Sequence, residues 1–161
     1  MANRTMQRSG GRADVRTTDR TWGEWLALTF GVIYAVVGLA GFFVTNGDSF
    51  TAQNTNDTLL GFEVNNLHNV VHLLIGAALI IAFMSGRIAT MYTAAVIGAV
   101  YLALGLIGPA ITDTDANILS LNGPDHWLHI LSGLGLLLAA YGCRVDRDRL
   151  GTNRTTDQYD R

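Results

Sequence analysis

Polar and apolar residues alternate in long blocks along this chain, not residue by residue. Four blocks carry no Asp, Glu, Lys or Arg: Trp25 to Val44, Leu67 to Ser85, Ile88 to Ile111 and Trp127 to Cys143. Each matches the ~17–25 residues a helix needs to cross about 30 Å of hydrocarbon. Buried helices of a water-soluble protein can be equally apolar, but they need amphipathic partners to cover them, and no segments with that pattern remain. The blocks therefore predict an all-α fold, a bundle of four transmembrane helices, over residues 24–143. Residues 1–23 read as a disordered, arginine-rich tail and 144–161 as a second polar tail.

Two of the blocks repeat the other two. "GVIYAVVGLAG" (Gly31 to Gly41) and "GAVYLALGLIG" (Gly98 to Gly108) share G-x-x-Y-x-x-x-G-L-x-G without a gap. "NNLHNVVHLLIG" (Asn65 to Gly76) and "NGPDHWLHILSG" (Asn122 to Gly133) share N-x-x-[H/D]-x-x-x-H-x-x-x-G. His72 then corresponds to His129, and His68 to Asp125. The chain reads as two tandem helical hairpins of the same topology, related by an axis along the membrane normal. Positions 31, 34, 38 and 41, and likewise 98, 101, 105 and 108, fall on one helix face, where small residues let backbones approach closely. Tyr34 and Tyr101 lie on that seam near mid-membrane.

Charge adds orientation. The chain has eleven arginines and no lysine, with a formal net charge of −2. Arg4, Arg8, Arg12, Arg16 and Arg20 precede the first span, Arg87 stands between spans two and three, and the rest follow span four. The loops 45–66 and 112–126 hold only acids: Asp48, Asp57, Glu63, Asp113, Asp115 and Asp125. Positive flanks stay in the cytoplasm, so the expectation is a multi-pass cell-membrane protein with both termini cytoplasmic and both acidic loops outside. The arginine-rich tails suit anionic lipid headgroups. They lack interleaved aromatics and include Asp14 and Asp19, so nucleic acid is not the expected partner. The first span resembles a signal peptide, but its apolar run is too long and reads as a retained helix. Cys143 is the sole cysteine, which excludes an intrachain disulfide and a cysteine metal cluster.

The chemistry rests on four histidines. Spans two and four run inward from the outer face, which places His68 and His126 at the headgroup boundary and His72 and His129 one turn deeper, level with Gly38 and Gly105. Asn65, Asn66 and Asn122 stand where helix starts need caps. Ionisable groups within a span mark functional candidates, and three readings stay open here. The rings make structural hydrogen bonds between helices. Or His68, His72, His126 and His129, with Asp125 or Glu63, hold a metal such as zinc. Or His72 and His129 ligate a b-type haem admitted by Gly38 and Gly105. A proton path is a further option. No nucleotide loop, nucleophile triad or other catalytic motif appears, so the leading expectation is a non-enzymatic membrane subunit or stabilising protein needing no cofactor, with a membrane-protein partner or a second copy beside it. The metal or haem module is the alternative.

The motifs "LLGFEVNNLHNVVHLLIG" and "LNGPDHWLHILSG", between glycine–tyrosine spans, resemble a family of small prokaryotic four-helix membrane proteins catalogued as a domain of unknown function. The matching positions are Asn65, His68, Asn69 and His72 in the first motif, and Asn122, Asp125, Leu128 and His129 in the second. The resemblance covers about Trp25 to Tyr141. It implies the four-helix architecture and no activity.

Overall fold

A computed structural model describes residues 20–45, 50–53 and 57–159, with side chains described to Val145. The arginine tail ahead of residue 20 and the arginines after residue 145 lie outside the described side chains. The elements are α1 (Trp22–Gly41), β1 (Thr58–Leu59), β2 (Phe62–Glu63), α2 (Asn66–Ser85), α3 (Arg87–Ile111) and α4 (Gly123–Tyr159). All four helices are long and apolar enough to cross a membrane, α4 through its Gly123–Val145 portion. The fold is an all-α four-helix bundle.

The helix ends differ from those expected, for local reasons. α1 begins three residues earlier than Trp25 because Thr21 and Glu24 form a capping box: the Thr21 hydroxyl accepts from Glu24 N–H, and the Glu24 carboxylate accepts from Thr21 N–H. α1 then ends at Gly41 in place of Val44. α4 does not stop at Cys143 but continues as helix through the polar segment to Tyr159, where no proline interrupts it. The loop between α1 and α2 also holds a two-stranded antiparallel ladder, Thr58 opposite Glu63 and Leu59 opposite Phe62, absent from the expected fold. Its turn residues Leu60 (φ 56°) and Gly61 (φ 92°) both take positive φ, the geometry of a tight two-residue hairpin.

The helices pack most closely within each hairpin, α1 on α2 and α3 on α4, with α1–α4 and α2–α3 contacts closing the ring. The seam glycines explain how. A Cβ added at Gly76 would lie 2.6 Å from Ala35 N and 2.7 Å from the Gly31 carbonyl. At Gly133 it would lie 2.6 Å from Leu102 N and 2.8 Å from the Gly98 carbonyl. These contacts are the same in the two copies once positions are matched (31 with 98, 35 with 102, 76 with 133), so the duplication read from the motifs holds at the level of backbone contact. The core runs along the axis between the hairpins through Ala27, Tyr34, Leu79, Ala94, Tyr101 and Leu136. The outward faces carry Val36, Leu74, Ile81, Val96, Leu106 and Leu131, all exposed. An apolar surface this continuous belongs in lipid, not water.

At the terminus end of the bundle a charge cluster latches the hairpins. Glu24, 2% exposed, meets Arg20 (2.8 Å) and, across from the α2–α3 turn, Arg87 (3.5 Å). Arg20 also donates to the Phe83 carbonyl at 2.6 Å and lies 4.4 Å from the Phe83 ring centroid. Replacing Glu24 with alanine removes the cap acceptor and leaves two partly exposed guanidiniums without their carboxylate. The expected cost is about 1–2 kcal/mol, since solvent screens the arginines. Glu24→Gln should cost less because the cap survives. Thermal unfolding in detergent micelles measures both, and equal losses would show that the charge, not the cap, matters.

Candidate functional site: a buried imidazole cluster

Two helix starts aim the histidines. Asn65 caps α2 by accepting from the His68 backbone N–H at 2.8 Å. His68 and His72 follow on one face, one turn apart. Asn122 and Asp125 cap α4 reciprocally, Asn122 N–H donating to Asp125 at 2.9 Å and Asp125 N–H to Asn122 at 3.2 Å. One turn beyond Asp125, His129 enters the same axis from the other hairpin.

His68, His72 and His129 converge there. One ring nitrogen from each lies within 4.8 Å of the others. His68 Nε2 and His72 Nε2 are 3.1 Å apart. The three residues are 1%, 6% and 4% exposed. Two tyrosines form the floor: Tyr34 is 5.3 Å from His72 and Tyr101 is 4.9 Å from His129, ring centre to ring centre, with the tyrosines 5.2 Å from each other. The pairing of Tyr34 with His72 and of Tyr101 with His129 repeats the sequence duplication around the axis.

The Nδ1 atoms of all three rings are buried and make no hydrogen bond among the described residues, while the Tyr34 hydroxyl lies beside Ser132 and Tyr101, outside strict hydrogen-bond geometry. Unpaired buried polar atoms cost about 1–3 kcal/mol each, so several at one spot mark an arrangement suited to an additional group. The carbonyls of Glu63 and Leu119 lie beside the His68 ring, outside strict hydrogen-bond geometry. Carbonyls so placed orient the imidazoles of metal sites, turning the other nitrogen's lone pair toward the ion. Donors about 2.0–2.1 Å from a common ion stand roughly 3.3–3.6 Å apart, between the shortest separation here and the widest.

Two expectations change. His68 is buried inside the protein, 1% exposed, and not open to headgroups or solvent. Asn65 donates to the carbonyls of Ala52 (3.0 Å) and Ile118 (2.9 Å), drawing the α1–α2 and α3–α4 loops over the end of the bundle, and Val64, Ser120 and Leu121 are buried there. His126 is also buried, but it faces away from the cluster. Its ring packs on Gly108, and its Nε2 is 2.9 Å from Thr112 Oγ1. In the aligned repeats His126 corresponds to Asn69, whose side chain fills the notch at Gly41 as His126 fills the notch at Gly108. Asp125 is spent on its cap and lines a cavity of about 70 Å³ with His68 and His72, among Val37, Val64 and Leu128. The Ser120 hydroxyl donates to Glu63 at 3.4 Å. Neither carboxylate joins the converging donors.

Room for a porphyrin is not where it was expected. A Cβ at Gly38 would lie 2.7 Å from the Asn69 carbonyl, and one at Gly105 2.8 Å from the His126 carbonyl. Helix backbone fills both notches, and the tyrosines with His68 pack around the His72–His129 pair. The cluster suits a single ion, not a macrocycle. It is also one-sided: below the tyrosines the axis holds Ala27, Leu79, Ala94, Leu136 and Ala139, all fully buried.

Glu24 falls just outside the apolar block and carries no functional signal in the sequence, and Asn69 enters there only as a position of the family motif. The repeat alignment was the available signal for Asn69, since it pairs that position with His126.

These features define a four-span membrane bundle whose two hairpins enclose a buried group of imidazoles. Residues 24–142 match the family described as "Domain of unknown function (DUF4383)", and the chain belongs to it. No curated protein and no solved structure matches the chain.

Proposed function

We propose that this protein is a membrane-embedded metal-binding protein whose ligands are His68, His72 and His129. The convergence of three buried ring nitrogens within 4.8 Å carries the reading. Imidazole suits zinc, copper, iron and nickel, and the unpaired Nδ1 atoms of His72 and His129 leave both rings free to turn either nitrogen toward an ion. The site lies at the end of the bundle opposite the termini. With arginines Arg20, Arg87 and Arg144 at the terminus end, the reading puts the termini in the cytoplasm and the metal near the outer face. A reporter fused after Arg161 checks that side: activity in the cytoplasm agrees, external activity reverses it.

The full chain, purified in detergent micelles and loaded with transition metal, should retain about one ion per chain, the stoichiometry a single three-imidazole site holds. Retention of none, under conditions where the helices remain folded, removes the metal reading. A second reading has its own observation, the 3.1 Å contact between His68 and His72: the imidazoles then serve a membrane subunit as interior hydrogen-bond partners. On that reading added metal leaves thermal stability unchanged.

A further inference from the structure

We propose that the ion the cluster is built for is monovalent copper and not a divalent metal. The proposal rests on the metal-binding reading above and goes on to the charge of the ion.

The donor set is neutral. Among the described residues, His68, His72 and His129 converge with no carboxylate or thiolate in the group. The setting is largely apolar: the three residues are almost wholly buried, the tyrosine floor lies beneath them, and Val37, Val64 and Leu128 line the adjoining cavity together with Asp125. The cost of taking an ion into such surroundings rises with the square of its charge, so a divalent ion meets about four times the penalty of a monovalent one. A divalent ion therefore needs compensating anions. Of the nearby acids, Asp125 lines the adjoining cavity and accepts from the backbone N–H of Asn122, Glu63 accepts from the Ser120 hydroxyl, and neither is among the converging donors. Arg20, Arg87 and Glu24 lie at the far end of the bundle, beyond the apolar layer. What remains is a site for a single positive charge.

Coordination number points the same way. Zinc takes four ligands, and a protein site with three leaves the fourth to water or substrate. Here the cavity of about 70 Å³ beside His68 and His72 is walled mainly by apolar side chains, with Asp125 as its one acidic lining residue. Cuprous copper, a closed-shell ion without a geometric demand for a fourth ligand, is satisfied by three imidazoles in a near-planar array. No electron transfer enters the proposal: copper is bound and released in the cuprous state.

The test is a pair of competition titrations on the full chain in detergent micelles under anaerobic, ascorbate-reduced conditions. Cuprous copper is titrated against a chromogenic cuprous chelator, and zinc against a zinc-sensitive dye. The expected result is one cuprous ion per chain and zinc held at least about 100-fold more weakly, the sign of a site that penalises divalent charge. Asp125→Asn keeps a cap acceptor and should leave cuprous affinity within about threefold, since its carboxylate is not part of the charge balance. Zinc bound as tightly as copper, or a large loss of affinity in Asp125→Asn with helix content intact, overturns the proposal and leaves a three-histidine site standing. Binding of neither ion overturns the metal reading itself.

Discussion

Alanine at His72 should lower metal affinity by more than about 100-fold while leaving the metal-free bundle close to its original stability. Ligand removal acts directly on the ion, and even outer partners of metal ligands are worth about 10–100-fold. The metal-free effect is small because two terms oppose. The variant loses the 3.1 Å contact with His68, a bond between neighbours one turn apart on α2, and a hydrogen bond of this kind contributes only about 0.5–1.5 kcal/mol net. It also removes a buried Nδ1 that has no partner, which relieves part of that loss. The difference appears when metal is added. An ion present at 100 times its dissociation constant stabilises the folded state by about 2.7 kcal/mol. The parent chain should therefore melt higher with metal and the variant should not. His126→Ala is the control, for its ring lies in the Gly108 notch bonded to Thr112, outside the cluster. It should keep the metal-induced shift. Loss of the shift in His126→Ala with retention in His72→Ala would contradict the assignment of ligands.

Leucine at Gly133 should destabilise the bundle by more than about 3 kcal/mol, beyond the usual range for inserting a few extra methylenes into a packed core. The first added carbon meets Leu102 N at 2.6 Å and the Gly98 carbonyl at 2.8 Å. Both are backbone atoms of α3, so no rotamer change makes room and the helices must separate. Separation would also carry His129 away from His68 and His72. Gly76 meets Ala35 N and the Gly31 carbonyl in the same way. Alanine at Gly76 and alanine at Gly133 should therefore cost similar amounts, the energetic signature of the duplicated hairpin. Gly123→Ala is the contrast, because nothing lies within 4 Å of its added Cβ and alanine favours helix. It should be neutral or stabilising. Reversible unfolding in mixed micelles reads all four variants, and a Gly133→Leu chain as stable as the parent would show that the α3–α4 seam is not closed in the membrane.

Glu24 shows where sequence reading stops. Its neighbours Arg20 and Trp25 place it at the rim of a span, where a charge is ordinary. Its burial depends on Arg87, 63 positions away, arriving from the α2–α3 turn. That turn is possible because Gly86 takes φ 110°, a backbone state glycine reaches without strain. The capping box itself was legible as Thr21 with Glu24 three residues on, and it moves the start of α1 ahead of the apolar block. The hairpin Thr58–Glu63 left no signal of its own, because ladders two residues long carry too few alternations to register.

The sequence by itself determined the number of spans, the duplication and the glycine seams. Each of these is a local or periodic property: lipid demands a run of about 20 apolar residues with its backbone bonds closed inside a helix, and close helix contact demands small residues on one face. Which histidines meet was decided only by the tertiary structure. Along the chain His126 and His129 are as good a pair as His68 and His72. In space the phase of α4 against α3 turns His126 into the Gly108 notch, while the loops drawn over Asn65 bury His68 beside His72 and His129. Convergence of side chains depends on helix rotation and on what covers the ends, and neither is written in the spacing of residues on a single helix.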